Sequence, residues 1–297
     1  MREGVVDWEA GWTWYRVVGE LASSAGPAPL VILHGGPGAA HDYLEPLAAL
    51  AESSGRACVL YDQLGCGRSQ HLPDAPPELW TVELFRRELD AVLRHLQISS
   101  RYHVLGQSWG GMLAMEHALG RPPGLRSLVV ANSPASMALW VQEANRLRTL
   151  LPEAVQRALT LHEAAGTTDS DEYQQAMTAF YERHLCRVVP FPEPLARTFA
   201  QLDADPTVYH TMNGPSEFHV IGAIRDWDIT ARLPEIAVPV LVISGEHDEA
   251  TPAVVRPLVE AIPDVRWELF EGASHCTHLE QADRFLEVVS AFLAGND

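Results

Sequence analysis

Residues 102–120 read YHVLGQSWGGMLAMEHALG. A short apolar run, YHVLG (102–106), leads through a glycine-flanked serine into a stretch that reads as a helix. Gly106-Gln107-Ser108-Trp109-Gly110 matches G-x-S-x-G. Five common residues in that pattern recur by chance. Set between a strand and a helix, they predict a nucleophile elbow, a sharp turn that holds a serine at a strand tip. The glycines let the chain turn without Cβ clashes.

The same rhythm continues on both sides. Upstream, PLVILHGGPG (29–38) is an apolar run that stops at a glycine cluster, and ACVLYD (57–62) is another, running into the loop QLGCGRS. Runs of that length read as strands buried on both faces. Residues 42–53 read as helical, and ELFRRELDAVLRHLQ (83–97) carries apolar residues at 85, 89, 92, 93 and 96, a helical stripe. Downstream come LRSLVVANS (125–133), PVLVISGEHD (239–248), VRWELFEGASH (265–275) and a final helix, ADRFLEVVSAFL. At the start, residues 3–9 and 12–19 flank Ala10-Gly11 as a hairpin, and a polar link ends at Gly26-Pro27.

Strands alternating with helices predict an α/β fold with a mainly parallel, doubly wound sheet. The rhythm breaks after Ser133. Residues 135–226 hold helical patterns such as DEYQQAMTAFYERHL and no comparable strand run. The expected organisation is a core in two parts, 1–134 and 227–297, with a helical cap at 135–226 inserted between them.

Composition narrows the chemistry. The chain has 297 residues, 47% apolar and 20% charged, which fits a globular protein and excludes disorder. A net charge of −18 disfavours nucleic acid and anionic membrane surfaces as partners. All 21 basic residues are Arg, which excludes a Lys nucleophile, a Schiff-base cofactor and a P-loop Lys. The four cysteines, Cys58, Cys66, Cys186 and Cys276, form no C-x-x-C pair. With no apolar leader at the N-terminus, they are expected in a reducing cytoplasm. No apolar stretch is long enough for a membrane span.

Serine needs a base, and the base needs an acid to orient it. In elbow-bearing folds the chain order is Ser, then Asp or Glu, then His. Asp248 follows the strand PVLVISG, and His275 follows the strand WELF through a short loop. Both sit just past strand carboxyl ends, where a doubly wound sheet builds its sites. Ser108, Asp248 and His275 are therefore the expected triad. The oxyanion needs two N–H donors. One is expected from Trp109 and the other from the loop His34-Gly35-Gly36-Pro37-Gly38, at Gly36. His275 and His278 alone do not make a metal site, so neither metal nor cofactor is expected.

Taken together, His34–Gly38, Asp62-Gln63-Leu64-Gly65-Cys66-Gly67-Arg68-Ser69, Gly106–Gly111, Gly245-Glu246-His247-Asp248 and Gly272–His275 resemble the proline iminopeptidase family of α/β-hydrolase serine peptidases. The resemblance runs in order through most of residues 30–297. It implies an α/β-hydrolase fold with a helical cap and no metal. The implied activity is release of an N-terminal residue, often proline, from short peptides, amides or aminoacylated compounds. It also implies that carboxylates hold the substrate's free amine, at Glu217 in NGPSEF and at Glu249 beside Asp248. Gln63 and Arg68 are expected to brace the loop rather than touch substrate. Tyr209, Phe218, Trp140 and Trp227 are candidates for lining the amino-acid pocket.

Two other readings compete. An ester or general amide hydrolase would use the same triad without recognising an amine, and Glu217 with Glu249 discriminates against it. A non-catalytic binding protein would be expected to have lost a member of the triad. Serine at the elbow, in place of aspartate, disfavours dehalogenase or epoxide hydrolase chemistry.

Overall fold

The computed structural model describes residues 1–21 and 26–297. The polar link expected before Gly26 lies partly outside the described residues. Among these, eight strands form one sheet: β1 (Arg2–Trp8), β2 (Gly11–Val18), β3 (Leu30–Leu33), β4 (Cys58–Tyr61), β5 (Tyr102–Gln107), β6 (Leu125–Ala131), β7 (Val240–Gly245) and β8 (Val265–Phe270). Their order is β1-β2-β4-β3-β5-β6-β7-β8. The β1–β2 hairpin is antiparallel and meets β4 antiparallel, whereas every pair from β4 to β8 is parallel.

Every residue of β3, β4, β5 and β7 is buried. Alternate side chains enter opposite layers. Val31, Leu33, Val59, Val104, Val130 and Val242 pack with one layer, and Leu30, Ile32, Leu60, Leu105, Val129 and Ile243 with the other. Helices cover both faces, so the central strands have no polar side and read as continuous apolar runs. The helix Val82–His95 starts at Thr81, whose side chain accepts from the Leu84 N–H. The apolar stripe read from the sequence is its inner face, with Phe85, Leu89, Val92, Leu93 and Leu96 all buried. The helical reading of 42–53 resolves into a 3-10 segment, Asp42–Ala49, with Pro46 inside it, followed by a short α-helix, Leu50–Ser54.

Between β6 and β7 the chain makes the helices Met137–Arg148, Glu153–Ala165, Asp171–His184, Glu193–Ala204 and Thr207–Met212, and then the 3-10 segment Thr230–Glu235. An antiparallel bridge joins Ser136 to Asp228 where this segment leaves and re-enters the sheet layer. Strand β3 connects to β4 on one side of the sheet and β5 continues on the other, so the winding reverses between β3 and β5. Ligands bind past the strand ends at such a reversal. The loop after β3 carries His34–Gly38, and the turn after β5 carries Ser108.

Candidate active site

Strand β5 ends at Gln107 and the helix Trp109–Leu119 begins at once, with Ser108 between them at φ 56° and ψ −123°. This is a strained conformation for a residue with a Cβ, and tertiary contacts must enforce it. The flanking glycines make those contacts possible. A Cβ on Gly106 would lie 2.0 Å from the Gly110 carbonyl oxygen, and one on Gly110 would lie 2.2 Å from that of Leu33. Strand, turn and helix thus cross with no room for side chains.

His275 is buried, and its Nδ1 lies 2.8 Å from Asp248 Oδ1. Asp248 follows β7. Its Oδ1 also accepts from the Ala250 N–H at 2.8 Å, and its Oδ2 from Asn132 Nδ2 at 2.6 Å and the Gly245 N–H at 3.4 Å. An ionised carboxylate accepting these bonds fixes the imidazole tautomer, with hydrogen on Nδ1 and a free Nε2. Ser108 and His275 line the same cavity. Gly36 joins them there, and its φ of +109° would drive a Cβ to 2.5 Å from the Ala39 nitrogen. Trp109 opens its helix, so its N–H has no intrahelical partner.

Residues with no triad signal hold these parts in register. Gln63 Nε2 donates to the His34 carbonyl, the Gln63 N–H donates to His34 Nε2, and Trp109 Nε1 donates to Gln63 Oε1 at 2.8 Å. Burial lowers the His34 pKa to about 4, so the ring is neutral and can accept. Gln63 is thus the expected brace. Arg68 acts only through its N–H, which donates to Asp62, while its guanidinium faces outward to Glu3 and the Trp14 ring. A second chain runs from the Gly35 N–H to Tyr43 Oη at 2.7 Å and on to Gln107 Oε1 at 2.6 Å. Gln107 Nε2 then donates to the His275 carbonyl at 3.1 Å.

Glu217 and Glu249 are brought to the same place. Glu217 lines the cavity with Ser108, and Glu249 Oε1 lies 3.8 Å from His275 Nε2. Tyr209 Oη donates to Glu217 Oε1 at 2.6 Å, and Trp140 Nε1 donates to the Glu217 carbonyl at 2.7 Å. Neither carboxylate oxygen of Glu249 has a hydrogen-bond partner. Burial raises the Glu217 pKa, partly offset by the Tyr209 hydrogen bond and the nearby His275. Burial raises that of Glu249 well above the usual carboxylate range, with Glu217 and Asp248 adding repulsion. The His184 carbonyl, at the end of the helix Asp171–His184, accepts from the N–H groups of both Glu249 and His275.

Two cavities meet at Ser108. One, the smaller, lies against Trp109, Met112, Met137, Trp140 and Ile224. The other, the larger, lies against Leu185, Leu195, Phe199, Leu202 and His275. Tyr209 and Trp140 therefore line the site as expected. Phe218 does not. It packs with Tyr173 and Phe180 in the interior. Trp227 instead donates to Glu116 and packs at the edge of the core. His278 is buried in the helix Thr277–Glu280, with Nε2 against the Tyr43 carbonyl at 3.0 Å, and burial lowers its pKa to about 3. No group of three His, Cys, Asp or Glu among the described residues is placed to hold a metal ion.

Asn132, Gln107, Tyr43, Tyr181 and His184 escaped the sequence reading. Only Asn132 left a signal, a polar residue just past the end of β6 at the same sheet edge as Ser108. His184 acts through its backbone carbonyl, which no side-chain pattern reveals.

Residues 28–282 match the α/β hydrolase fold family. The chain is 38% identical over 287 residues to a proline iminopeptidase of Lactobacillus delbrueckii subsp. lactis, covering 96% of this chain and 95% of that one. Among solved structures it is similar to VinJ, with 54% identity, a TM-score of 0.97 and coverage of 100% of this chain and 99% of that one. The proline iminopeptidase of Mycobacterium smegmatis gives 52% identity and a TM-score of 0.92, covering 99% of this chain and 98% of that one. The chain belongs to the proline iminopeptidase family of α/β hydrolases.

Proposed function

We propose that the protein is a serine aminopeptidase that releases the N-terminal amino acid from a short peptide, amide or aminoacylated compound. The observation that carries this reading is a pair of buried carboxylates beside the serine. Burying carboxylates without a cation costs several kcal/mol, so a site that keeps them is built to receive one. The substrate's terminal ammonium supplies the charge, and Glu217 and Glu249 supply charge-assisted hydrogen bonds.

In this mechanism Ser108 Oγ attacks the scissile carbonyl and His275 Nε2 takes its proton. Asp248 holds the imidazole and stabilises the imidazolium. The N–H groups of Gly36 and Trp109 receive the oxyanion. His275 then protonates the leaving amine, and water, activated by the same imidazole, releases the amino acid from Ser108. Residues 135–226 form the cap that closes over the site and supplies Glu217, with 1–134 and 227–297 as the core. The smaller pocket, against Trp109, Met112 and Trp140, faces the side chain of the released residue. Four buried, unbridged cysteines favour the cytoplasm, and the net charge of −18 argues against nucleic-acid partners.

The test compares an aminoacyl arylamide with its N-acetyl derivative. N-acetylation removes the charge and leaves Glu249 without a partner and Glu217 with only Tyr209. It should lower kcat/KM by at least about a hundredfold, roughly 2.7 kcal/mol. Glu217→Gln should lose much of that discrimination by slowing the free-amine substrate. Similar rates on both compounds would replace this reading with a general esterase or amidase.

A further inference from the structure

The two cavities at Ser108 divide the substrate. Gly36, Ser108 and Glu217 line both, but His275 lines only the larger. The leaving atom takes its proton from His275, so the leaving group occupies the larger cavity.

The walls of the larger cavity are mostly apolar. Leu185, Leu195, Phe199 and Leu202 supply apolar surface. Most of the uncharged polar side chains on the walls are already engaged. Tyr43 Oη bonds Gly35 and Gln107, Gln107 Nε2 bonds the His275 carbonyl, Thr198 Oγ1 accepts from the Tyr43 N–H, and Tyr209 Oη bonds Glu217. A peptide leaving group brings an amide N–H and a carbonyl every residue, and each costs free energy if buried unpaired. An alkyl chain brings none.

We propose that this cavity is an acceptor site for primary amines bearing an apolar chain, and that the enzyme transfers its aminoacyl group to them in competition with hydrolysis. The inference rests on the aminopeptidase reading, because it needs the aminoacyl-enzyme. Once the first leaving group has departed, a neutral amine seated in the cavity attacks the carbonyl of the Ser108 ester. Its N–H proton passes to His275 Nε2, and a C–N bond forms. The tetrahedral adduct collapses by breaking the bond from carbon to Ser108 Oγ, which recovers the proton from His275. An amide and the free enzyme result, with no oxidant or further reactant. The neutral amine is the nucleophile. The bound chain also displaces the water that would hydrolyse the ester.

The test supplies an amino-acid methyl ester as donor with butylamine, hexylamine, octylamine or glycinamide as acceptor, at matched concentrations of neutral amine. Amide and free amino acid are quantified by mass spectrometry. The ratio of amide to amino acid should rise at least about tenfold from butylamine to octylamine, well within the gain that four buried methylenes can supply. It should saturate with octylamine and stay low with glycinamide. Phe199→Asp and, independently, Leu202→Asn should each flatten the chain-length dependence. The ratio is internal to each variant, so partial loss of folded enzyme does not disturb it. Donor turnover to amino acid alone, or an amide yield independent of chain length, would overturn the transfer proposal and leave the aminopeptidase standing. No donor turnover would overturn both.

Discussion

Asp248, proposed as the orienter of His275, shows how much of such a group is its surroundings. Its four hydrogen bonds come from His275, the Ala250 and Gly245 N–H groups and the Asn132 amide. Only its identity and its place after a strand could be read from the sequence. Ser108→Ala removes the proposed nucleophile and should lower kcat by roughly 10⁴-fold or more, with the fold intact by circular dichroism. Asp248→Asn should cost on the order of 10⁴ in kcat, because an amide NH₂ facing Nδ1 selects the wrong tautomer. Asn132 tests positioning. It sits at φ 53°, where glycine is tolerated and alanine is strained, so Asn132→Gly is the cleaner variant. It removes the 2.6 Å bond to Asp248 and the partner of Thr277 Oγ1. Steady-state kinetics should show kcat down about tenfold with KM little changed, since the lost bond serves the imidazolium and not substrate binding. An equal loss through KM would assign Asn132 to substrate contact instead.

The elements differ in how openly the sequence declares them. Strands β3, β4, β5 and β7 were readable as apolar runs because helices cover both their faces. The helices between β6 and β7 were readable as helices, but not the side chains they deliver. Tyr181 and Tyr209 lie on two different helices and converge on Glu217 from its backbone N–H and its carboxylate. Convergence of that kind depends on tertiary packing, which no periodicity encodes. The same packing brings together two carboxylates whose ionisation is opposed by burial, Glu217 from the segment after the helix Thr207–Met212 and Glu249 from the turn after β7. Burial opposes ionisation of both carboxyls in the free enzyme. An ammonium favours the ionised form and lowers their pKa, so binding must release protons. Calorimetric titration of the Ser108→Ala enzyme with an aminoacyl amide, in buffers of different ionisation enthalpy, should show net proton release. Glu249→Gln should abolish most of it. Proton uptake, or no linkage, would mean that the pair is already ionised before the amine arrives.

Across the whole molecule, the sheet's reversal point explains why residues as far apart as Gly36, Ser108, Asp248 and His275 meet, and chain order plus strand ends made that meeting predictable. What stayed hidden was a buried acid remote from the triad. Glu88 lies on the inner face of the helix Val82–His95, fully buried. Its Oε1 accepts from the Leu64 N–H at 2.8 Å and from Thr13 Oγ1, so one carboxyl ties a helix to β2 and to the loop that carries Gln63. Its Oε2 has no partner. In the sequence it is one glutamate in a charged helix, ELFRRELDAVLRH, and nothing there distinguishes it from an exposed neighbour such as Glu83. Burial pushes its pKa up to about 8, against the bonds from Thr13 and Leu64 that favour ionisation. Below the ordinary carboxylate pKa both folded and unfolded forms are neutral at this position and nothing is lost. As pH rises towards about 8 the unfolded chain ionises while the folded one resists, so stability falls through that window by an amount on the order of a few kcal/mol. Glu88→Gln keeps an oxygen for Thr13 and Leu64 and cannot ionise. Its thermal unfolding midpoint should match the wild type near pH 4.5 and exceed it by roughly 5 °C at pH 8. Midpoints that stay parallel between those values would show that the Glu88 carboxyl ionises as readily inside the fold as outside it.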